Sequence, residues 1–213
     1  YTNVASVGNN ILYRGIKDGR RVKGKIPYSP TLFLPSKKPT KFKTLTGEYL
    51  EPMKFDSIRE ARDFVKRYDE VSNFKIYGQT RYEYAFIADN HQGMVDWNIE
   101  DISIAIIDIE VGSENGFPDP YQANEQITAV CIKYLGGDTV VFGCGDYETK
   151  GEEKYIKCSD ETELCKKFLA YWQENTPDVL SGWNIKFFDI PYLVNRFNKI
   201  LGEDDTKKLS PWN

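Results

Sequence analysis

One stretch of this chain constrains its fold more than any other. Ile102–Val111 is a nearly continuous apolar run, interrupted by Asp108 and Glu110. Such a run fits a central strand buried on both faces. Side chains alternate across a strand, so two acids two residues apart point to the same face. A buried carboxylate without a partner costs several kcal/mol, and two on one face repel each other. Two arrangements remove the conflict. The pair sits at an exposed strand end just before the Gly112 loop, or it serves as ligands for a divalent cation.

The rest of the second half has the pattern of a sheet with helices. Ile127–Leu135 and Thr139–Gly143 flank Gly136-Gly137-Asp138, which reads as a hairpin. Tyr155–Cys158 is a further short strand. Asp160–Glu174 carries Leu164, Phe168, Leu169 and Trp172 at helical spacing. Val179–Trp183 is a short apolar strand. Phe188–Leu201 is a second amphipathic helix, with Ile190, Leu193, Val194, Phe197 and Leu201 on one face. Strands and helices in this order make a mixed α/β sheet with helices packed on it.

The first half reads differently. Asn10–Lys17 and Arg21–Tyr28 flank an Asp18-Gly19 turn, and Lys41–Leu45 and Tyr49–Phe55 flank Thr46-Gly47. Pro27, Pro30, Pro35 and Pro39 punctuate the stretch around Thr31–Leu34. Asp56 or Ser57 caps a helix to about Tyr68. Tyr82–Ala88 alternates as a strand. The boundary falls near residues 95–101, giving a β-rich domain at 1–98 and an α/β domain at 99–213.

Charge changes sign at the same place. Residues 1–100 hold 17 Lys and Arg against 12 Asp and Glu, and residues 101–213 hold 11 against 20, within a net charge of −4. Residues 14–43 hold ten basic residues and one acid, Asp18. Lys23, Lys25, Lys37, Lys38, Lys41 and Lys43 are the six of its lysines taken as the candidate surface. This is the composition of a phosphate-binding surface. It is equally that of solvated hairpins whose lysines block edge pairing.

Several chemistries are excluded. His91 is the only histidine, which argues against a His-rich metal site and against a Ser-His-Asp triad. Cys131, Cys144, Cys158 and Cys165 are 13, 14 and 7 residues apart, so no Cys-x-x-Cys zinc pair exists. Reduced, structural thiols of a cytosolic protein are expected. A metal bound here is held by carboxylate oxygens, which favours Mg²⁺ or Mn²⁺. No apolar run approaches the roughly 20 residues that span a bilayer, so no membrane partner is expected. The chain opens on Tyr1 and closes on Ser210-Pro211-Trp212-Asn213, which reads as part of a longer protein.

The third acid comes from Asn184-Ile185-Lys186-Phe187-Phe188-Asp189-Ile190-Pro191. It follows an apolar strand and opens a helix. Asp189 is placed either as the N-cap or with its carboxylate toward the strand of Asp108 and Glu110, and both roles are compatible.

Asp-x-Glu on a core strand, then Asn-x-x-x-Phe-Asp at a helix start about 75 residues later, resembles the DEDD 3′→5′ exonucleases. Ile107-Asp108-Ile109-Glu110, Phe117-Pro118-Asp119-Pro120 and Ser181–Pro191 are similar to the exonuclease motifs of family B DNA polymerases. Val7–Asn10 and Tyr28-x-Pro30-Thr31-Leu32-Phe33 extend the resemblance to the replicative polymerases of T-even-type tailed bacteriophages. The resemblance implies an RNase H-like exonuclease domain behind a smaller N-terminal domain. It implies two-metal hydrolysis of single-stranded 3′ DNA ends, with ions about 3.5–4 Å apart. Asp108, Glu110 and Asp189 would be catalytic and metal-binding.

The resemblance also implies a fourth acid, in a Tyr-x-x-x-Asp motif about a hundred residues further along. Tyr121–Glu125 and Tyr134–Asp138 precede Asp189, the wrong order for it. Weak metal binding and little activity are therefore expected of these 213 residues alone. Phe117, Phe188 and Trp183 are candidates for stacking on bases, although core packing is the expected role of Trp183 and Phe188. Asn184 either contacts the terminal nucleotide or is a strand-end turn residue. Further implied are a sliding clamp as partner of the full-length polymerase, RNA as a partner of the N-terminal domain, and the cytoplasm of an infected bacterial host. The alternative is a nucleic-acid-binding module without catalysis, working through the basic N-terminal segment.

Overall fold

A computed structural model describes residues 1–95, 97–114 and 116–212. Asp96, within the expected boundary, and Asn115, within the loop after Gly112, lie outside the described residues. The chain divides into two compact units, Tyr1–Asn98 and Ile99–Asn213.

The first unit contains two three-stranded antiparallel sheets. β1 (Asn3–Val7), β2 (Asn10–Lys17) and β3 (Arg20–Pro27) form a meander. Asp18 and Gly19 have φ of 52° and 72°, the double left-handed turn that matches strand twist. β4 (Thr31–Pro35), β5 (Phe42–Lys43) and β6 (Tyr49–Lys54) pair in the order β4-β6-β5. Helix α1 (Ile58–Tyr68) starts at Ser57, whose hydroxyl accepts from Glu60 N while Glu60 accepts from Asp56 N. Ile11, Leu32, Phe55, Ile58, Ala61, Tyr82 and Phe86 form its buried core.

Two features of this unit depart from expectation. β1 was not legible as a strand. The segment read as a strand at Tyr82–Ala88 is helix α2 (Tyr82–Asn90). The aromatic alternation of Tyr82, Tyr84 and Phe86 is misleading, because Tyr84 is exposed while Tyr82 and Phe86, four residues apart, share the buried face. Asp89, a turn further on, accepts a 2.6 Å hydrogen bond from Tyr28.

The second unit is built on one five-stranded mixed sheet of order β10-β9-β8-β7-β11. β7 (Ile104–Val111), β8 (Ile127–Tyr134) and β9 (Thr139–Gly143) are antiparallel neighbours. β10 (Lys154–Lys157) runs parallel to β9, and β11 (Val179–Ser181) runs parallel to β7. α3 (Glu161–Asn175) and α4 (Asp189–Leu201) follow β10 and β11, and a short α5 (Glu203–Thr206) comes last. Asp160 caps α3 by accepting from Glu163 N. Ala105, Ile107 and Ile109 pack with Val130, Ile132, Val140 and Phe142 against Leu164, Phe168, Tyr192, Leu193 and Phe197. Fully burying each such large side chain contributes about 1.5–3 kcal/mol, so the helix-covered face is the stabilising one.

β7 is central in position, but it is not buried on both faces. Ile106 is 49% exposed, and Asp108 and Glu110 beside it are exposed too. The apolar run reflects β propensity on the open face and core packing on the other. Among the described residues no helix is long and apolar enough to cross a membrane.

Candidate exonuclease site

Strand geometry delivers the first two acids. Asp108 and Glu110 alternate with buried Ile107 and Ile109, so both face the open side of the sheet. Cys131 stands directly opposite Asp108 on β8, and Ala129 opposite Glu110. The register slips between Glu110 and Val111, a bulge of the kind that re-aims side chains at strand ends. The side chains of Asp108 and Glu110 make no ion pair or hydrogen bond among the described residues.

Asp189 reaches the same strand by a different route. β11 pairs with β7 only as far as Ser181 opposite Ile106. Gly182 then lies against the strand so closely that a Cβ there would be 2.5 Å from the carbonyl oxygen of Ile107. The chain turns at Asn184, whose φ of 56° is one that Asn tolerates. Its carbonyl accepts from Phe187 N (3.0 Å) and Phe188 N (3.1 Å). α4 begins at Asp189 itself. Phe188 is the N-cap and makes no side-chain cap bond, so Asp189 is not the cap. Its carboxylate, 4% exposed, instead accepts a 3.2 Å hydrogen bond from Ile109 N, the amide between the two strand acids.

Burial pushes the Asp189 carboxyl above its ordinary range, and the charge of Asp108 pushes the same way, against the hydrogen bonds that it accepts. Asp189 is thereby tied to the same strand segment that carries Asp108 and Glu110. That donor set is all oxygen, as Mg²⁺ and Mn²⁺ prefer. Among the described residues, however, no three His, Cys, Asp or Glu side chains close around a single metal position.

The aromatic residues divide sharply. Phe117, in the loop between β7 and β8, is 86% exposed and lies 5.3 Å, ring to ring, from Phe188. Phe188 is half-buried against the core, as expected. Trp183 is 92% exposed, so its expected core role is wrong: the turn at Gly182 and Asn184 throws it outward. Phe187 is 65% exposed and was not singled out in the sequence. Only the Phe187-Phe188 pair hints at it, because one of two adjacent aromatics at a turn must face away. Asn184 is an exposed turn residue whose role here is carried by its backbone.

Tyr134–Asp138 does have the Tyr-x-x-x-Asp spacing, but it is the β8–β9 hairpin. Its tyrosine hydroxyl donates to Asn175 O, and Asp138 pairs with Lys154. Lys23, Lys25, Lys37, Lys38, Lys41 and Lys43 are all exposed. Lys23 and Lys25 lie on β3, while Lys43 lies on β5 of the other sheet.

The chain has counterparts among known proteins. The profile for the exonuclease domain of family B DNA polymerases matches residues 50–211. The DNA-directed DNA polymerase of Enterobacteria phage T4 is 28% identical over 99% of this chain, and the chain covers 26% of that protein. The corresponding polymerase of Escherichia phage RB69 is 29% identical over 99% of this chain and 27% of its own length. The DNA polymerase delta catalytic subunit of Drosophila melanogaster is 48% identical over a segment covering 19% of this chain and 4% of that protein. The chain thus spans about a quarter of the phage relatives it matches. With the profile covering most of the 213 residues, the chain belongs to the family B DNA polymerases and carries their exonuclease domain.

Proposed function

We propose that this chain is the N-terminal and 3′→5′ proofreading part of a phage replicative DNA polymerase. Residues 1–98 are the N-terminal domain and residues 99–213 belong to the exonuclease domain. The substrate is a frayed single-stranded 3′ DNA end. The observation that carries the reading is the bond from Ile109 N to Asp189, which ties the third acid to the strand between Asp108 and Glu110.

The residues present fit a pair of Mg²⁺ or Mn²⁺ ions by chemistry. Asp108, Glu110 and Asp189 would hold them, and the ions when bound would lower the pKa of water and stabilise charge on phosphorus. The protein supplies the rest. The bulged end of β7 presents Asp108 and Glu110 to solvent, where a phosphodiester has access. The exposed ring of Phe117 offers a sequence-tolerant stacking surface for a terminal base. Asn184 and Phe188 complete the substrate side. The site of action is the cytoplasm of the infected bacterium. A sliding clamp and, at the N-terminal domain, RNA are further partners supported by the family resemblance alone.

The test uses the polymerase that carries this chain and a 5′-labelled single-stranded oligonucleotide with Mn²⁺. Asp108→Ala combined with Glu110→Ala should abolish shortening from the 3′ end and leave synthesis intact. Undiminished 3′ degradation would overturn the assignment. The open geometry of the three acids favours, as a second reading, a non-catalytic nucleic-acid-binding module. Under that reading the double variant changes nothing, while neutralising the basic segment weakens binding.

A further inference from the structure

α4 does more than begin with Asp189. Tyr192, Asn195, Arg196 and Lys199 recur at intervals of three, one and three, and so form one stripe of the helix. All four donate to backbone carbonyls of one loop, the one that follows Phe117. Tyr192 donates to Glu125 O at 2.7 Å and Asn195 to Pro120 O at 3.0 Å. Arg196 donates to Ala123 O at 3.2 Å and Asn124 O at 2.7 Å. Lys199 donates to Gln122 O.

The other edge of Arg196 grips a carboxylate. Its Nε and Nη2 donate to the two oxygens of Glu161, at 2.8 and 2.6 Å, a bidentate pair whose side chains are 14% and 9% exposed. Glu161 also accepts from Ile127 N at 2.7 Å, where β8 begins. One ion pair therefore joins α3, α4 and the loop to the sheet. Within the loop, Asp119 accepts from Tyr121 N and Gln122 N, and Ala123 is fully buried at a φ of 42°.

Satisfying the loop does not by itself require this device. Carbonyls of a surface loop are ordinarily satisfied by water, and a buried ion pair is a weak route to stability. What the arrangement does achieve is fixity. The residue just before buried Pro118 is Phe117, and its ring stands out in solvent rather than collapsing onto the core. A platform ordered in advance binds a base without first losing conformational freedom.

We infer that Arg196, together with Glu161, is a positioning residue for single-stranded DNA, locking the 118–125 segment so that Phe117 is presented rigidly against Phe188, the N-cap of α4. Arg196 touches no substrate and acts through Phe117. The inference rests on the stacking reading of Phe117 given above.

The test is a double-mutant cycle on the 213-residue chain, with a fluorescein-labelled oligo(dT) read by anisotropy. Phe117→Ala should weaken binding roughly tenfold, the scale of one lost base–aromatic stack. Arg196→Met with Glu161→Gln, which strands no buried charge, should weaken it about as much. The combination should be no weaker than either, because both remove one interaction. Hydrogen exchange should accelerate roughly tenfold at the amides of Phe117, Asp119 and residues 121–125 and stay unchanged in α3 and β8. Asn195→Ala keeps the ion pair and guards against misfolding, and it should give a smaller loss in the same direction. Additive losses, faster exchange throughout α3, or full binding by the Arg196 and Glu161 variant beside a weakened Phe117→Ala would each overturn this inference alone. Unchanged binding by Phe117→Ala would overturn the stacking reading and this inference with it.

Discussion

Replacing Gly182 with Ala tests whether the approach of the Asp189 loop to β7 is obligatory. The added Cβ would lie 2.5 Å from Ile107 O and 2.4 Å from Ile185 Cγ2, where real Cβ contacts essentially never fall below 3.0 Å. The Ile185 methyl belongs to a side chain and can rotate. Ile107 O belongs to the central strand and cannot move without disturbing its pairing with β8. Overpacking usually costs about 1–3 kcal/mol, and a backbone partner places this case at about 3. At roughly 4 °C per kcal/mol for a unit of this size, the midpoint should fall by roughly 10 °C in a thermal melt followed by circular dichroism. Any stabilisation of the folded chain by Mn²⁺ should fall too, because displaced β11 carries Asp189 away from Ile109 N. Adding Ile185→Ala relieves only the 2.4 Å contact and should not restore the midpoint. A fall of less than about 3 °C, or full rescue by Ile185→Ala, would refute the reasoning.

Two further outcomes follow from the same geometry. Asp189 binds its proton more tightly when folded than its ordinary value of 3.8, so the stability it contributes is complete below that value and is lost as pH rises through the higher folded value. In chelator, Asp189→Asn should therefore match the parent near pH 3.5 and exceed it at neutral pH by urea titration; a constant difference would contradict the direction of the shift. In the basic segment, replacing Lys23, Lys25, Lys37, Lys38, Lys41 and Lys43 with Gln should flatten the salt dependence of oligonucleotide binding. The change is about 0.7 in log–log slope for each lysine that meets a phosphate, and an unchanged slope leaves the segment as a solvated surface.

The sequence was most legible where one physical period dominated. The two strands on either side of Asp18-Gly19, the helix capped at Ser57 and the stripe of α3 formed as their patterns dictate, while in α4 the expected Leu193 and Phe197 are buried, the unexpected Tyr192 is buried with them, and Val194 is exposed. Asp108 and Glu110 were legible because charge in an apolar strand is conspicuous. Three readings failed for a shared reason: local pattern does not state what lies on the far side. Tyr82–Ala88 alternates over three aromatics, yet the buried partners lie at helical spacing. β7 is apolar apart from Asp108 and Glu110, yet Ala105, Ile107 and Ile109 are the residues of it that are buried in the core, while Ile106 faces the open side. Trp183 is large and apolar, yet a turn set by Gly182 and Asn184 turns it to solvent. Arg196 gave almost no signal, because an arginine on a polar helix face is ordinarily solvated.

The position of the site follows from a topological fact that no motif encodes. β11 is parallel to β7, so the C-terminal ends of both strands fall at the same end of the sheet. The loop bearing Phe117 leaves β7 there, and the turn leading to Asp189 leaves β11 there, which is why the rings of Phe117 and Phe188 meet although the intervening chain runs through helix and sheet. β11 is also the shorter of the two. Where it stops at Ser181, β7 continues with an amide at Ile109 that has lost its strand neighbour, and Asp189 takes that place with a carboxylate. An antiparallel β11 would have sent the turn to the opposite end, and a longer β11 would have satisfied Ile109 with a carbonyl. The acid site is thus a consequence of a parallel strand that ends early, and the Asp-x-Glu pair gains its third member only because of that early end.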